Sequence, residues 1–171
     1  AQTVFYEQTG GKIKLGEKEV SVTIVQVDFS EIAENGSANF NVVSKLDLTP
    51  FKEDMRKFPY KYLKKYIPNS LYISSTVRIE KTGKDFSYGI THKSLTLNNL
   101  SSDDTADFFD TLNAVLKIGT AENLNMQIGK IAVDALIGTK ENPGFAYAMK
   151  SIGAISFKFE NSLGVDYFVV Y

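Results

Sequence analysis

The chain has no cysteine, no tryptophan, one histidine and only four prolines in 171 residues. Without cysteine there is no disulfide, no thiolate metal site and no cysteine nucleophile. A lone histidine, His92, excludes a multi-histidine metal centre and the HExxH helix of a zinc protease. Neither sign of charge is in surplus: 19 Lys+Arg face 20 Asp+Glu, for a net charge of −1. Nucleic-acid binders usually carry a basic excess, so no nucleic-acid partner is expected. No run of about 18 apolar residues exists to span a bilayer as a helix.

The motifs of phosphate and acyl-transfer chemistry are missing too. Gly10-Gly11-Lys12 through Gly16-Glu17 lacks the closing Gly-Lys-Ser/Thr of a phosphate loop, and no helix pattern opens there. Gly138 to Gly144 lacks GxGxxG spacing and precedes alternating residues. No Gly-x-Ser-x-Gly elbow supplies a nucleophile, and His92 has only Thr91, Lys93 and Ser94 beside it in sequence. His92 reads as a sheet-surface residue. No catalytic constellation assembles, so the expectation is a non-catalytic protein that needs no cofactor.

What is present describes a globular domain. The hydrophobic fraction is 43% and the charged fraction 23%, both ordinary values. The length fits one domain over residues 1–171, with a short flexible N-terminus over about residues 1–10. A chain of this size buries about 70% of its unfolded surface and needs no staples.

Periodicity gives the element order. Val20, Val22 and Ile24 alternate, and then Val25, Val27 and Phe29 alternate in the opposite phase, which predicts a bulge within a strand over residues 11–29. Glu34-Asn35-Gly36 is a turn, and residues 37–48 return with Ala38, Phe40 and Val42 on one face. Residues 70–81 alternate through Leu71, Ile73, Ser75, Val77 and Ile79. Lys81-Thr82-Gly83-Lys84 turns the chain into Phe86, Tyr88, Ile90 and His92, then Leu95 and Leu97. Ser101 with Asp104 approximates a capping box for a helix reaching Gly119. A second helix runs from Ala121 to about Ile137, with Leu124, Ile128, Ile131 and Ala135 as its apolar face. Residues 144–160 alternate again, and Asn161-Ser162-Leu163-Gly164 turns into a last strand over 165–171. The predicted fold is α+β: a mostly antiparallel, twisted sheet of two or more hairpins, with a short basic helix and a helix pair packed on one face.

One surface stands out. Lys52, Arg56, Lys57, Lys61, Lys64 and Lys65 face only Glu53 and Asp54 in their stretch, and Phe51, Phe58, Tyr60, Tyr62 and Tyr66 are interleaved. A short helix before Pro59 and another with Pro59 in its first turn are expected. Membrane-surface helices combine basic heads with an aromatic face in this way. An ordinary core-facing helix with a lysine-solvated outer side has the same pattern. The candidate ligand or membrane contacts are Lys52, Arg56, Lys57, Phe58, Tyr60, Lys61, Tyr62, Lys64, Lys65 and Tyr66. Lysine greatly outnumbers arginine there, which argues against phosphate reading in nucleic acid.

Two further clusters have structural explanations. Asp103, Asp104, Asp107 and Asp110 could hold a hard cation, but they fall in the first turns of a helix, where the dipole favours negative charge. No metal site is expected. The aromatic load of 12% fits either a plain core or the lining of an apolar cavity.

The functional expectation is therefore a binding domain for an apolar or amphipathic, lipid-like molecule, or for an anionic membrane surface. The alternative is a structural or protein–protein interaction module, pairing through the edge strand Tyr167-Phe168-Val169-Val170-Tyr171, with a protein partner or a second copy. Ala1-Gln2-Thr3 fits a mature N-terminus after signal removal, or one trimmed behind an anchor, although a tag scar would look the same. An extracytoplasmic location, secreted or in the cell envelope, is the corresponding expectation. The lysine bias, with many Asn and Ile, suggests an AT-rich bacterial source.

Overall fold

The computed structural model describes residues 10–53, 55, 64–97 and 100–171. Its centre is a five-stranded antiparallel meander in the order β1-β2-β3-β4-β5. The strands are β1 (Gly10–Leu15), β2 (Lys18–Ser30), β3 (Ala38–Asp47), β4 (Ser70–Lys81) and β5 (Tyr88–Leu97). Helices α2 (Ser102–Leu116) and α3 (Ala121–Leu136) pack on one face. A second sheet is the hairpin β6 (Phe157–Ser162) and β7 (Val165–Val170). The α+β architecture and the helix pair are as the periodicity predicts.

The predicted strand over 11–29 is two strands. Leu15 pairs with Lys18 across Gly16-Glu17, and Gly16 has a φ of +66°. A Cβ on Gly16 would sit 2.5 Å from the Lys117 carbonyl oxygen, and the next carbonyl, that of Ile118, accepts from the Gly16 N–H. Only glycine fits this turn. The phase change in β2 is a bulge: the register shifts between Ile24 and Gln26, leaving Val25 exposed while Ile24 and Val27 are buried.

A second bulge matters more. The β4–β5 register shifts between Thr76 and Val77, with Lys93 as the extra residue of β5. This breaks the ladder beside the Thr76 carbonyl. Asn125 of α3, fully buried, donates from Nδ2 to that carbonyl at 3.0 Å. The same Nδ2 lies 2.7 Å from His92 Nδ1, which accepts in the tautomer that leaves it unprotonated. His92 is half-buried and points toward α3, so it belongs to a structural contact rather than the open sheet surface.

Helix α3 buries Leu124, Asn125, Ile128, Gly129, Ala132 and Val133. The predicted apolar face is thus rotated: Ile131 and Ala135 are half-buried at its flank. The smallest residue explains the rotation. A Cβ on Gly129 would lie 2.5 Å from Cγ1 of the fully buried Val77, so glycine lets the helix axis settle onto β4.

Residues 145–152 correct the strand expectation. They form a one-turn helix, α4 (Phe145–Ala148), and a 3-10 turn over Met149–Ile152. The alternating residues Phe145, Tyr147 and Met149 are too few to outweigh the local restraint, in which Tyr147 N–H bonds the Ile137 carbonyl and Ala146, off that set, is the buried residue. The aromatics mostly make core. Phe29 of β2 stacks on Phe40 and meets Phe159 and Phe168 of the hairpin at 5.1 and 6.3 Å, which joins the two sheets.

The outer sheet face is polar and cross-linked. Arg78 donates to Asn39 Oδ1, the Glu31 carbonyl and Ser37 Oγ. Asn41 donates to Asp28 and accepts from Thr76. These bonds occupy the face with its own side chains.

Candidate functional site

The basic–aromatic segment is an excursion between paired strands. Asp47 at the end of β3 pairs with Ser70 at the start of β4, and the chain between them leaves the sheet. Its two stems are pinched together: Leu48 N–H bonds the Asn69 carbonyl at 2.7 Å, and Lys52 Nζ donates to Asn69 Oδ1 at 2.8 Å. Helix α1 (Thr49–Glu53) begins the excursion, and a 3-10 turn over Lys64–Tyr66 ends it. Asp47 caps α1, accepting from Thr49 N–H, and this bonding holds its carboxyl below the usual range. Lys52 and Lys64 are half-buried and Lys65 is exposed. Tyr66 lies in the 3-10 turn. Arg56, Lys57, Phe58, Tyr60, Lys61 and Tyr62, with the two helices expected around Pro59, lie outside the described residues.

Beside the stems is a recess lined wholly by apolar atoms. Leu46 and Leu48 come from the β3 side, Ile67 and Pro68 from the returning stem, Phe108 and Phe109 from α2, and Leu124 from α3. Its space is only about 30 Å³, enough for one water-sized or methyl-sized group. Leu100 and Phe108 are exposed at this same end. The four acidic residues lie on α2. Ser101 caps its N-terminus, accepting from Asp104 N–H and donating to the Asp104 carboxylate. Asp103, Asp104, Asp107 and Asp110 are all exposed. Among the described residues, no group of three or more His, Asp or Glu side chains is placed to hold a metal, and no helix is long and apolar enough to cross a membrane.

The other end of the sheet carries features that the sequence did not expose. Two clefts flank the C-terminal half of α3. One, of about 520 Å³, lies between β1 and α3 over Gly11, Gln127 and Ile131. The second, of about 540 Å³, is bounded by Asp85–Tyr88, the end of α3, Thr139-Lys140 and the Tyr147–Lys150 turn. Lys130 borders both. It pairs with Asp134 at 2.7 Å, and Asp134 also accepts from the Tyr88 hydroxyl. Burial first, and then that bond to a carboxylate, raises the Tyr88 phenol above its ordinary range. Ser87 holds Asp85 in its ionised form: its bonds to the carboxylate, including one from Ser87 N–H at 2.9 Å, depress the Asp85 pKa. No sequence motif announces this cleft, because its walls come from four separate segments.

A Ser–Lys pair lies nearby. Lys81 Nζ donates to Ser156 Oγ and to the Phe157 carbonyl, and sits 5.4 Å from the Phe157 ring and 5.6 Å from that of Tyr171. Bonds from Ser156 and Lys81 lower the Tyr171 phenol. Ser156 is buried, and its hydroxyl lies within hydrogen-bond distance of the Asp85 carbonyl as well, at 2.9 Å. The hydroxyl is therefore committed, and the cluster works as a clamp that seats the β6–β7 hairpin on the end of β4. Comparison with protein-family models, with curated proteins and with solved structures finds no match in any of the three.

Proposed function

We propose that the chain is a non-catalytic binding domain that presses the 51–66 excursion against an anionic membrane surface. The observation that carries this reading is the pinched stem. The Leu48–Asn69 and Lys52–Asn69 bonds close the two stems at one end of the sheet, and the sequence over 51–66 carries four surplus positive charges and five aromatics. Leu100, Phe108 and the apolar recess are at that same end. The small size of the recess favours surface contact over an engulfed acyl chain. Each lysine near an anionic surface contributes about 1 kcal/mol. An extracytoplasmic, cell-envelope setting is part of the proposal.

The test is co-sedimentation of the full chain with phosphatidylglycerol–phosphatidylcholine vesicles and with phosphatidylcholine alone. Binding should require the anionic lipid and weaken with salt. Changing Lys57, Lys61 and Lys64 together to Gln removes about 3 kcal/mol, roughly two orders of magnitude in affinity. Equal binding to both vesicle types, or to neither, would sink the reading.

A specific observation favours a second reading, the interaction module. β7 pairs only with β6, so its other edge has no strand partner among the described residues. Leu163 is fully exposed, and Val165, Tyr167 and Tyr171 are about half exposed beside it. Open edges with exposed apolar side chains pair with other chains. Light scattering should then show a concentration-dependent dimer. A strict monomer at high concentration would discard this alternative.

A further inference from the structure

From the geometry of the cleft between Asp85–Tyr88 and the Tyr147–Lys150 turn, we infer that it is a binding site for a small, ring-bearing phosphate monoester. The cleft measures about 540 Å³, within the roughly 300–1,000 Å³ range of small-molecule sites. It lies at the opposite end of β4 from the basic excursion, so it is a different site from the proposed membrane contact.

Its charge is the first argument. Lys130, Lys140 and Lys150 reach it from α3, the 138–143 loop and the 3-10 turn, three separate segments. Lys130 is neutralised by Asp134. Lys140 and Lys150 have no carboxylate within 4 Å among the described residues. The cleft's own carboxylate, Asp85, is satisfied by Ser87 N–H, and the Lys150 charge helps to keep it ionised. Lys140 and Lys150 together outweigh the single Asp85 charge, so the cleft is net positive, and lysine serves phosphate well as a point charge.

The wall is the second argument. Phe86 and Tyr147 meet edge to face at 5.7 Å, and Ala154 and Ile155 extend the apolar side. Lys150 Nζ lies over the face of the Tyr147 ring, 5.4 Å from its centroid, which holds the positive head beside the apolar side of the cleft. A ring can lie along Ala154 and Ile155 while its phosphate reaches toward Lys140 and Lys150. Ser87 and Thr139 add hydroxyls to the rim. The Thr139 hydroxyl already accepts from Asn142 N–H, which fixes its position. The neighbouring cleft over Gly11 and Ile131 has no comparable pair of free ammonium groups.

Titration of the full chain with phenyl phosphate, phenol and inorganic phosphate, followed by calorimetry and amide chemical shifts, separates the two arguments. Phenyl phosphate should bind saturably at one site and at least about tenfold tighter than either fragment, with shifts at Ser87, Thr139 and Tyr147. Changing Lys140 and Lys150 together to Ala should cost about tenfold per lysine. Both residues are exposed, so the variant should keep the wild-type circular dichroism. Lys45→Ala, on the outer face over Tyr72, should leave binding unchanged. Absence of saturable phenyl phosphate binding would overturn the inference, as would affinity equal to that of inorganic phosphate or undiminished binding by the double variant. Vesicle binding reads the other end of the sheet, so either assignment can fail alone.

Discussion

Gly129→Ala places one methyl group where α3 rests on β4. In an exposed helix this change stabilises by about 1 kcal/mol, because alanine restricts the unfolded chain and favours the helix. Here the new Cβ would stand 2.5 Å from Val77 Cγ1, 3.0 Å from Cγ2 and 3.3 Å from Cβ. Val77 has no room to yield. It is fully buried, β-branched and held in the ladder next to the β4–β5 bulge. Overpacking of this kind costs about 1–3 kcal/mol, and a contact this short belongs at the upper end. The net expectation is a loss of about 1–2 kcal/mol, opposite in sign to the helix propensity. With a urea m-value of about 1–3 kcal/mol/M, the midpoint should fall by roughly 0.3–2 M. Val77→Ala alone leaves a cavity and also destabilises. In the double variant the methyl group added at position 129 enters that space, so the combined loss should fall short of the sum of the two single losses by about 1 kcal/mol or more. A Gly129→Ala protein at least as stable as wild type, or strict additivity in the double variant, would refute the close-approach argument.

Asn125→Ala should cost about 2–3 kcal/mol in the same urea assay, since it strands the Thr76 carbonyl at the bulge and opens a small cavity; a loss under about 0.5 kcal/mol would mean that water replaces the amide freely. Ser44→Ala should be neutral or stabilising by about 1 kcal/mol, because the Ser44 hydroxyl is buried without a hydrogen-bond partner; clear destabilisation in thermal melts would contradict this. Tyr88 has a folded pKa raised above the ordinary phenol value of 10.0, so its contribution to stability is complete below about pH 10 and is lost as pH rises beyond it. Ultraviolet titration should show one late-ionising phenol that disappears in Tyr88→Phe, and the variant's stability should fall less steeply above about pH 10; an unchanged late phase would refute the assignment.

The sheet was legible wherever alternation ran long enough to define a face. Ala38, Phe40 and Val42 on β3, and Ile73, Val77 and Ile79 on β4, are all buried as the period-two pattern predicts. The phase slip around Val25 marked its bulge because one inserted residue reverses every side chain after it. The slip at Lys93 is equally visible between His92 and Leu95, yet its consequence was not, because the residue that completes it, Asn125, sits on a helix face otherwise read as apolar. Gly16 passed as one more residue of a long strand, since a two-residue turn occupies less sequence than the window that detects strands. At 145–152, alternation over one turn's length was indistinguishable from a helix that buries Ala146. The basic excursion was visible as composition, whereas the bonds pinching its stems depend on the β3–β4 register. The lysine cleft was invisible for the same reason. Lys130, Lys140 and Lys150 are spaced like any surface lysines, and only the turn from α3 into α4 brings them together.

Helix α3 connects these regions physically. Leu124, in its first turn, lines the apolar recess, while Lys130 and the Gly138 that follows the helix line the phosphate cleft. A helix of 16 residues spans about 24 Å, and Leu124 and Gly138 stand near its opposite ends. Between them α3 is fastened to the sheet by Asn125 at the bulge and by the Gly129 contact on Val77. Substitutions on α3 therefore disturb both ends at once. Lys140 and Lys150 lie beyond its last residue, and Lys57, Lys61 and Lys64 belong to the excursion. These are the positions at which binding can be altered with the helix seat left intact. If Gly129→Ala weakened both vesicle and phenyl phosphate binding while each lysine set weakened only one, the common cause would be the seat of α3 on β4. If Gly129→Ala destabilised the fold but left both affinities unchanged, the two ends would hold their shapes independently of that seat.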